Sequence, residues 1–402
     1  MLQPTIMQYL VEKFRKKLMH LPMQFQRSLM DDITWEARLI GIKGARGAGK
    51  TTLLLQRIKG HFSDLRGVLY VSMDDLWFAE HRLVELADRF VKQGGRYLFL
   101  DEVHKYPDWS REIKNIYDDY PELHIVFTGS SLLEILNARA DLSRRAVTYE
   151  LQGLSFREYL HFAEGIAFPV YSLDDLLNRH EEIAAEVVQR IKPLAYFGNY
   201  LAAGYYPFFK EVPDLYLQRL SEVINLILEV ELPQLRRVDI AWTPKLKQLL
   251  LIIAESAPFK PNISALSTKI GINRETLLTY LYYLSESGLT RQLYRDGKGM
   301  SRLQKPDKIY LENTNLTYAI RPSQPDTGTL RETFFANQLA YQHALSYPKS
   351  GDFLVDQQHL FEVGGPNKSG QQIAGTSGFL AIDQIEIGYQ NRIPLWLFGF
   401  LY

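Results

Sequence analysis

The chain of 402 residues has no cysteine, no long apolar run and no excess of either charge. The absence of thiols excludes disulfide bonds, thiolate zinc sites and cysteine nucleophiles, and it is compatible with a reducing compartment. No stretch approaches the roughly 18 apolar residues of a membrane-spanning helix. Charged side chains stand where a signal peptide would need an apolar core, namely Glu12, Lys13, Arg15, Lys16 and Lys17. We therefore expect a cytoplasmic protein with no membrane partner.

The charge balance gives no indication of a polyanionic partner. Lysine plus arginine and aspartate plus glutamate both number 46, so any basic surface must be local. Hydrophobic residues make up 46% of the chain and charged residues 23%, which is typical of globular proteins. Roughly two to four domains are expected at this length.

The strongest positive signal is residues 39–55, LIGIKGARGAGKTTLLL. A strand, a glycine-rich turn and the start of a helix contain the P-loop pattern G-x-x-x-x-G-K-[ST], formed by Gly44, Gly49, Lys50 and Thr51. Glycines let backbone N–H groups approach phosphate oxygens, and the helix N-terminus adds partial positive charge. Lys50 should reach the β- and γ-phosphates, and the Thr51 hydroxyl should ligate Mg²⁺. The alternative is an ordinary strand–turn–helix with no ligand.

Two later strand ends carry candidate catalytic groups. In YLFLDE, Asp101 and Glu102 end a buried strand, where ligands bind in open α/β sheets. Asp101 is expected to hold Mg²⁺ and Glu102 to polarise the attacking water; a solvent-facing acidic strand end is the alternative. In HIVFTGSS, Ser130 is the candidate for a hydrogen bond to the γ-phosphate or the water, with Thr128 and Ser131 as alternatives.

The alternation of apolar strands with helices predicts an α/β fold with a parallel sheet. The order GARGAGKT, YLFLDEVHK, FTGSS and DLSRRAVTYELQGLSFREYL resembles prokaryotic AAA+ ATPases of the AAA_14 type with a C-terminal DUF4143 region. The resemblance runs along most of the chain. It implies ATP with Mg²⁺ as cofactors, Lys50 and Thr51 as the Walker A pair, Asp101 and Glu102 as the Walker B pair, and Ser130 as sensor 1. The predicted nucleotide contacts are Gly44, Ala45, Arg46, Gly47, Ala48, Gly49, Lys50, Thr51 and Thr52.

The same resemblance places Arg145 at the family's arginine before the last core strand. An arginine finger on a neighbour's γ-phosphate would stabilise transition-state charge and would imply a homo-oligomer. A structural ion pair at the strand start is the alternative, and Arg144 is the alternative finger.

Three further modules are expected after the ATPase core. The predicted boundaries are 1–153 for an N-terminal helix and the AAA+ core, 154–255 for a helical lid, 256–320 for a winged helix-turn-helix, and 321–402 for a small α/β module resembling PD-(D/E)XK nucleases. A lid would close the site and couple hydrolysis to motion.

The winged helix is a candidate for DNA binding or for protein contact. Its second helix presents Arg274, Thr279 and Tyr283 at positions expected to be exposed, and only one of these is basic. Basic residues collect instead around the wing, where Lys308 and its neighbours could contact phosphates or form a solvated loop.

The last module carries Glu332, Asp352 and Glu362 at the spacing of the nuclease fold that it resembles. In that fold a lysine follows two residues after the glutamate, but Gly364 stands there, and Lys368 is the nearest substitute. We therefore expect a degenerate fold rather than a nuclease. The apolar tail IPLWLFGFLY is predicted to be a buried strand of this module.

Together these predictions describe an ATPase that hydrolyses ATP with Mg²⁺ and moves its C-terminal modules. An ATP-regulated nucleic-acid-binding or processing protein, and a switch that recruits a protein client, are the alternatives.

Overall fold

The computed structural model describes residues 6–129, 142, 144–236, 238–255, 259–295, 305–321, 325–373, 375 and 377–402. The chain divides into two compact units, Met1–Gly153 and Leu154–Tyr402. The predicted boundaries near residues 255 and 320 both fall within the second unit.

The first unit is built on a five-stranded parallel sheet. Its strands are β1 (Leu39–Lys43), β2 (Val68–Ser72), β3 (Tyr97–Asp101), β4 (His124–Gly129) and β5 (Val147–Glu150). Its helices are α1 (Ile6–Met19), α2 (Leu29–Asp32), α3 (Lys50–His61), α4 (Leu83–Lys92) and α5 (Trp109–Asp119), with 3₁₀ turns at Leu76–Ala79 and Val103–Lys105. The lateral order is β2-β3-β4-β1-β5, and every pair is parallel. The predicted α/β class is confirmed.

Both faces of this sheet are covered, which is why its strands are continuously apolar. Leu69 and Leu98 belong to the core beneath α4 and α5. Their neighbours along the same strands, Tyr70 and Phe99, belong to the core beneath α1 and α3. Strand order reverses beside β1, because the chain leaves β1 for the far edge and returns through β3 and β4. The carboxyl end of β1 is therefore where a ligand site is expected.

The second unit is mainly helical at its start and mixed at its end. Its helices are α6 (Phe156–Glu164), α7 (Leu173–Arg190), α8 (Pro193–Ala203), α9 (Tyr216–Leu226), α10 (Leu232–Arg236), α11 (Thr243–Glu255), α12 (Ile263–Ile270), α13 (Arg274–Glu286), α14 (Thr314–Ile320) and α15 (Thr327–Leu339). A π turn spans Ile227–Glu231, and 3₁₀ turns span Pro207–Lys210, Pro213–Leu215, Ile240–Trp242, Gln371–Ile373 and Leu395–Phe400.

Two sheets complete this unit. An antiparallel hairpin joins β6 (Thr290–Leu293) and β7 (Lys308–Leu311). The other sheet has the order β12-β11-β10-β9-β8, antiparallel from β8 to β10 and parallel from β10 to β12. Its strands are β8 (Leu345–Ser346), β9 (Phe353–Val355), β10 (His359–Gly364), β11 (Phe379–Ile382) and β12 (Arg392–Pro394).

The apolar tail is buried, as expected, but it is not one strand. Pairing stops at Pro394, whose ring nitrogen cannot donate to a ladder, and a 3₁₀ turn follows. That turn packs Phe398 against Phe335 of α15, with ring centroids 4.8 Å apart. Among the helices of the described residues, none combines the length and the apolar character needed to cross a membrane.

A buried amide ties the helical part of the second unit to the segment after the hairpin. The Asn315 side chain donates to the carbonyls of Tyr200 and Leu201, at 3.1 and 2.8 Å. Its oxygen accepts from the Tyr205 N–H at 2.9 Å and from the Tyr216 hydroxyl. The residue is fully buried, so these bonds replace water that the amide cannot reach.

Candidate functional site

The P-loop connects β1 to α3, and its glycines are required for two different local reasons. Gly49 caps α3 at φ 98° and ψ 21°, a left-handed conformation that side chains disfavour. At Gly44 the reason is space, because a Cβ there would lie 2.3 Å from the Leu151 carbonyl oxygen. The loop can therefore bring its backbone N–H groups together at the start of α3, where anions bind.

Lys50 lies inside this loop. Its side chain is buried, and Nζ donates to the carbonyl oxygens of Gly44 and Ala45 at 2.9 and 3.0 Å. The remaining predicted contacts differ in accessibility: Arg46, Gly47 and Thr52 are exposed, whereas Ala48 is buried. The ammonium group is thus held within the concave side of the loop.

Thr51, at the start of α3, and Asp101, at the end of β3, are joined by a hydrogen bond. The Thr51 hydroxyl donates to Asp101 Oδ2 at 2.6 Å, and the aspartate is only 1% exposed. A hydroxyl and a carboxylate from separate elements are oxygen ligands of the kind that Mg²⁺ takes beside substrate phosphates. This donor set fits the predicted metal.

Thr128 organises both acidic residues. Its hydroxyl donates to Asp101 Oδ1 and accepts from the Glu102 N–H at 3.1 Å. Sequence reasoning offered Thr128 as an alternative phosphate-binding hydroxyl, but its position inside the sheet gives it this aligning contact instead. The preferred candidate Ser130, and Ser131, lie outside the described residues.

Glu102 has a backbone conformation uncommon for a residue with a side chain. Its φ is 55° and its ψ 41°, in the left-handed region where strained functional residues are often found. Its Oε2 lies 3.4 Å from His104 Nε2. Burial, followed by the nearby charges of Lys105, Lys50 and Arg46, lowers the pKa of His104 to about 4. The imidazole beside Glu102 is therefore neutral at neutral pH.

Sequence reasoning missed two residues that hold this arrangement. The Tyr70 hydroxyl, in β2, donates to Asp101 Oδ2 at 2.7 Å. The only signal for it is a single hydroxyl-bearing ring within the apolar run VLYV. Arg27 donates from Nη1 to the Ala48 carbonyl and from Nη2 to those of Gln152 and Gly153, each at 2.7 Å. No sequence signal relates Arg27 to these carbonyls.

Arg145 is held within its own unit. Its guanidinium makes two contacts with the Asp118 carboxylate, Nε to Oδ1 at 2.9 Å and Nη2 to Oδ2 at 3.0 Å. This is the ion pair that the sequence left as the alternative to an arginine finger. Arg144 is exposed.

The acidic residues of the last module do not assemble as a metal triad. Lys308 Nζ lies 3.1 Å from Glu332 Oε2 and 3.4 Å from Asp352 Oδ1, while Lys368 Nζ lies 3.0 Å from Glu362 Oε1. Within the described residues, no group of three or more acidic or histidine side chains is placed to hold a metal ion. An ammonium group stands between two of the three carboxylates.

Two expectations about exposure in the winged-helix region are corrected. Lys308, expected in a solvent-facing wing, is 2% exposed because all four residues of β7 are buried. Tyr283, expected on the outer face of α13, is 4% exposed, because that helix buries more than one face. Arg274 is exposed as expected.

Comparison with known proteins addresses the first unit directly. Residues 36–160 match the AAA_14 family model, described as an AAA domain. This part of the chain is similar to AAA domains. The match supports an ATP-binding domain of the AAA type. Residues 195–327 match the model of a domain of unknown function, DUF8612, rather than the DUF4143 region suggested by resemblance.

Two relatives match more of the chain than the AAA_14 model does, but their names assign no role to it. An uncharacterized protein of Methanocaldococcus jannaschii, MJ1637, is 28% identical over 83% of this chain and 77% of its own length. A second from that organism, MJ1544, is 24% identical over 62% of this chain; the match spans 54% of MJ1544, about half its length. Among solved structures, the Walker-type ATPase paby2304 of Pyrococcus abyssi aligns over 74% of this chain and 96% of its own. The identity is 14% and the TM-score is 0.44.

Proposed function

We propose that the AAA domain hydrolyses ATP with Mg²⁺ and that its nucleotide state governs the second unit. The observation that carries the proposal is the hydrogen bond from Thr51 to Asp101, made beside the loop that encloses Lys50. It joins the two halves of a nucleotide site, one at the start of α3 and the other at the end of β3. Bound Mg²⁺ would neutralise phosphate charge between these oxygens.

The residues of the chain have distinct roles in this proposal. Lys50 exchanges its two carbonyl partners for the β- and γ-phosphates, which are stronger acceptors for an ammonium group. Thr51 and Asp101 would hold the metal, which would supply positive charge beside the phosphates. Glu102 accepts a hydrogen bond from the attacking water and orients it, with neutral His104 fixing the carboxylate from one side.

Arg27 supports the link to the second unit. One guanidinium holds the P-loop carbonyl of Ala48 together with the last two carbonyls of the first unit, at Gln152 and Gly153. A shift of the loop on binding phosphate therefore acts on the backbone that leads into residue 154. Whether the second unit acts on DNA or on a protein client stays a prediction from the sequence.

Two variants and a control test the proposal in the full chain. Lys50→Ala should reduce ATP turnover to background, because it removes the buried ammonium group that the loop encloses. Glu102→Gln should bind ATP as the parent does but turn over roughly 100-fold more slowly, since it removes the group that orients water. Lys92→Ala, an exposed lysine of α4 paired with Asp88, should change neither.

Phosphate release and binding of a fluorescent ATP analogue measure these effects. Turnover by Lys50→Ala at the parental rate would show that the P-loop assignment is wrong. If Glu102→Gln turned over ATP at the parental rate, Glu102 would not be the residue that orients the attacking water. If the parent bound ATP but did not hydrolyse it, the protein would be a nucleotide-binding switch rather than an ATPase.

A further inference from the structure

We propose that Tyr70 is a positioning residue for the Asp101 carboxylate, and that Lys17 makes the N-terminal helix α1 part of the same hydrogen-bonded chain. This inference rests on the proposed Mg²⁺·ATP site. It adds a function to α1, which the sequence predicts only as an N-terminal helix.

The first step concerns the carboxylate. Asp101 Oδ2 accepts from the Thr51 hydroxyl at 2.6 Å and from the Tyr70 hydroxyl at 2.7 Å, while Oδ1 accepts from Thr128. Three hydroxyl donors from three different elements fix the plane of the carboxylate. Tyr70 reaches it because β2 pairs with β3 in parallel, with Ser72 opposite Asp101. Partners that orient a metal ligand in this way commonly change metal affinity by about 10- to 100-fold when they are removed.

The second step concerns the proton of Tyr70. Lys17 Nζ donates to the Tyr70 hydroxyl oxygen at 3.2 Å and lies 4.9 Å from the centroid of its ring. An ammonium group can only donate, so the hydroxyl oxygen must accept from it. The single hydroxyl proton of Tyr70 then points to the carboxylate of Asp101, which can only accept. The Asp101 carboxylate therefore sets the direction of this bond, and Lys17 adds a contact that holds the Tyr70 hydroxyl oxygen in place.

The third step concerns α1 itself. Phe14, one turn before Lys17, stacks on the Tyr70 ring at 6.0 Å between centroids. Lys13 adds an anchor to Asp75 at 2.6 Å, just beyond the end of β2. Lys17 is exposed, whereas Tyr70 and Asp101 are 3% and 1% exposed. The chain of contacts thus runs from a surface lysine of α1 to the buried carboxylate of the proposed metal site.

The test separates metal-dependent from metal-independent nucleotide binding in the full chain. The dissociation constant of a fluorescent ATP analogue is measured in EDTA and at saturating Mg²⁺, and the ratio is compared among variants. In EDTA, the dissociation constant of Tyr70→Phe for the analogue should be within about twofold of the parent's. The increase in affinity that Mg²⁺ brings should be roughly 10-fold smaller than in the parent. Lys17→Met should reduce the gain in affinity from Mg²⁺ about threefold, since it removes only the contact that holds the Tyr70 hydroxyl in place.

Lys16→Met is the matched control, because Lys16 is the exposed neighbour on the same helix. It should bind like the parent in both conditions. If Tyr70→Phe fails to fold, the exposed Lys17→Met still decides the question. An unchanged Mg²⁺ gain in Lys17→Met, or in a folded Tyr70→Phe, overturns the inference while leaving the proposed function intact. If Mg²⁺ does not increase the affinity of the parent for the analogue, both the proposed metal site and this inference are overturned.

Discussion

At the scale of single residues, His104 shows how the site affects an ionisable group. Its side chain is 5% exposed, and the cations Lys50, Arg46 and Lys105 surround it, while Asp74 acts in the opposite direction. Glu102 Oε2 lies beside it at 3.4 Å. The folded state therefore accepts a proton on this ring only near pH 4, well below the usual histidine pKa of 6.5.

This depressed pKa predicts an acid-dependent loss of stability. As the pH falls below 6.5, the unfolded state binds a proton that the folded state refuses until about pH 4, so the free energy of unfolding decreases across that window. The decrease amounts to about 2 kcal/mol at pH 5. His104→Gln should lack it, as measured by urea unfolding at pH 7.5 and pH 5. Equal losses in parent and variant would contradict the prediction.

Residue-scale prediction from sequence selects residues that the structure brings together where spacing along the chain carries the chemistry, and their roles stay predictions. Lys50 and Thr51 follow from a contiguous pattern, and Asp101 from its place at a strand end. Tyr70 lies 31 positions from Asp101, and Arg27 lies 126 positions from Gly153. Their roles depend on strand pairing and loop packing, which no local pattern encodes.

At the scale of elements, β7 carries an internal cation into the last module. Lys308 contacts the carboxylates of Glu332 and Asp352, and Tyr310 of the same strand donates to Glu332 Oε2 at 2.6 Å. Burial raises the pKa of Glu332, and the Lys308 charge partly offsets this effect. The hairpin and the last module are therefore joined by charge as well as by packing.

Removing that cation should destabilise the second unit strongly. Lys308→Met leaves two buried carboxylates without their ammonium partner, which typically costs about 3–5 kcal/mol. Adding Glu332→Gln should recover part of the loss, because it removes one of the two charges. The exposed Lys305→Met serves as control, and urea unfolding measures all three. Stability of Lys308→Met equal to that of the control would show that the ion pairs contribute nothing.

Element-scale prediction failed where a charge was taken as a sign of solvent. Lys308 stands in the otherwise apolar strand KIYL, and all four residues are buried. The apolar neighbours of Lys308 therefore predict its burial better than its own charge does. Strand prediction in the tail failed for a different reason, since Pro394 ends the ladder within an apolar run. A cap such as Asn273, in contrast, can be read from the sequence, because its side chain accepts from the Thr276 N–H at 2.8 Å, a contact that spans only three residues.

At the scale of the whole molecule, the sequence predicts that Arg145 relates turnover to assembly. Its ion pair with Asp118 is partly exposed, with side-chain exposures of 28% and 41%, and such pairs contribute little to stability. Releasing Arg145 toward a neighbouring copy therefore costs little.

A finger acting between copies predicts a larger particle in the presence of ATP and Mg²⁺. Light scattering after gel filtration should show a mass increase in the parent. Arg145→Ala should assemble similarly yet turn over roughly 1000-fold more slowly, because it lacks the transition-state charge. Arg144→Ala tests the alternative finger and should keep the parental rate if Arg145 is the one that acts. A monomeric parent under both conditions would leave Arg145 as the partner of Asp118 alone.

The buried Asn315 amide has a practical consequence for dividing this molecule. Because it bonds to residues 200, 201, 205 and 216, a truncation near residue 255 exposes polar atoms that the intact unit covers. The boundary near residue 320 is crossed by another buried contact, the hydrogen bond that Gln338 Nε2 donates to the Tyr200 hydroxyl at 3.0 Å. Fragments ending near residue 255 or beginning near residue 321 should therefore aggregate when produced alone. Functional assignment of the second unit needs residues 154–402 expressed as one piece.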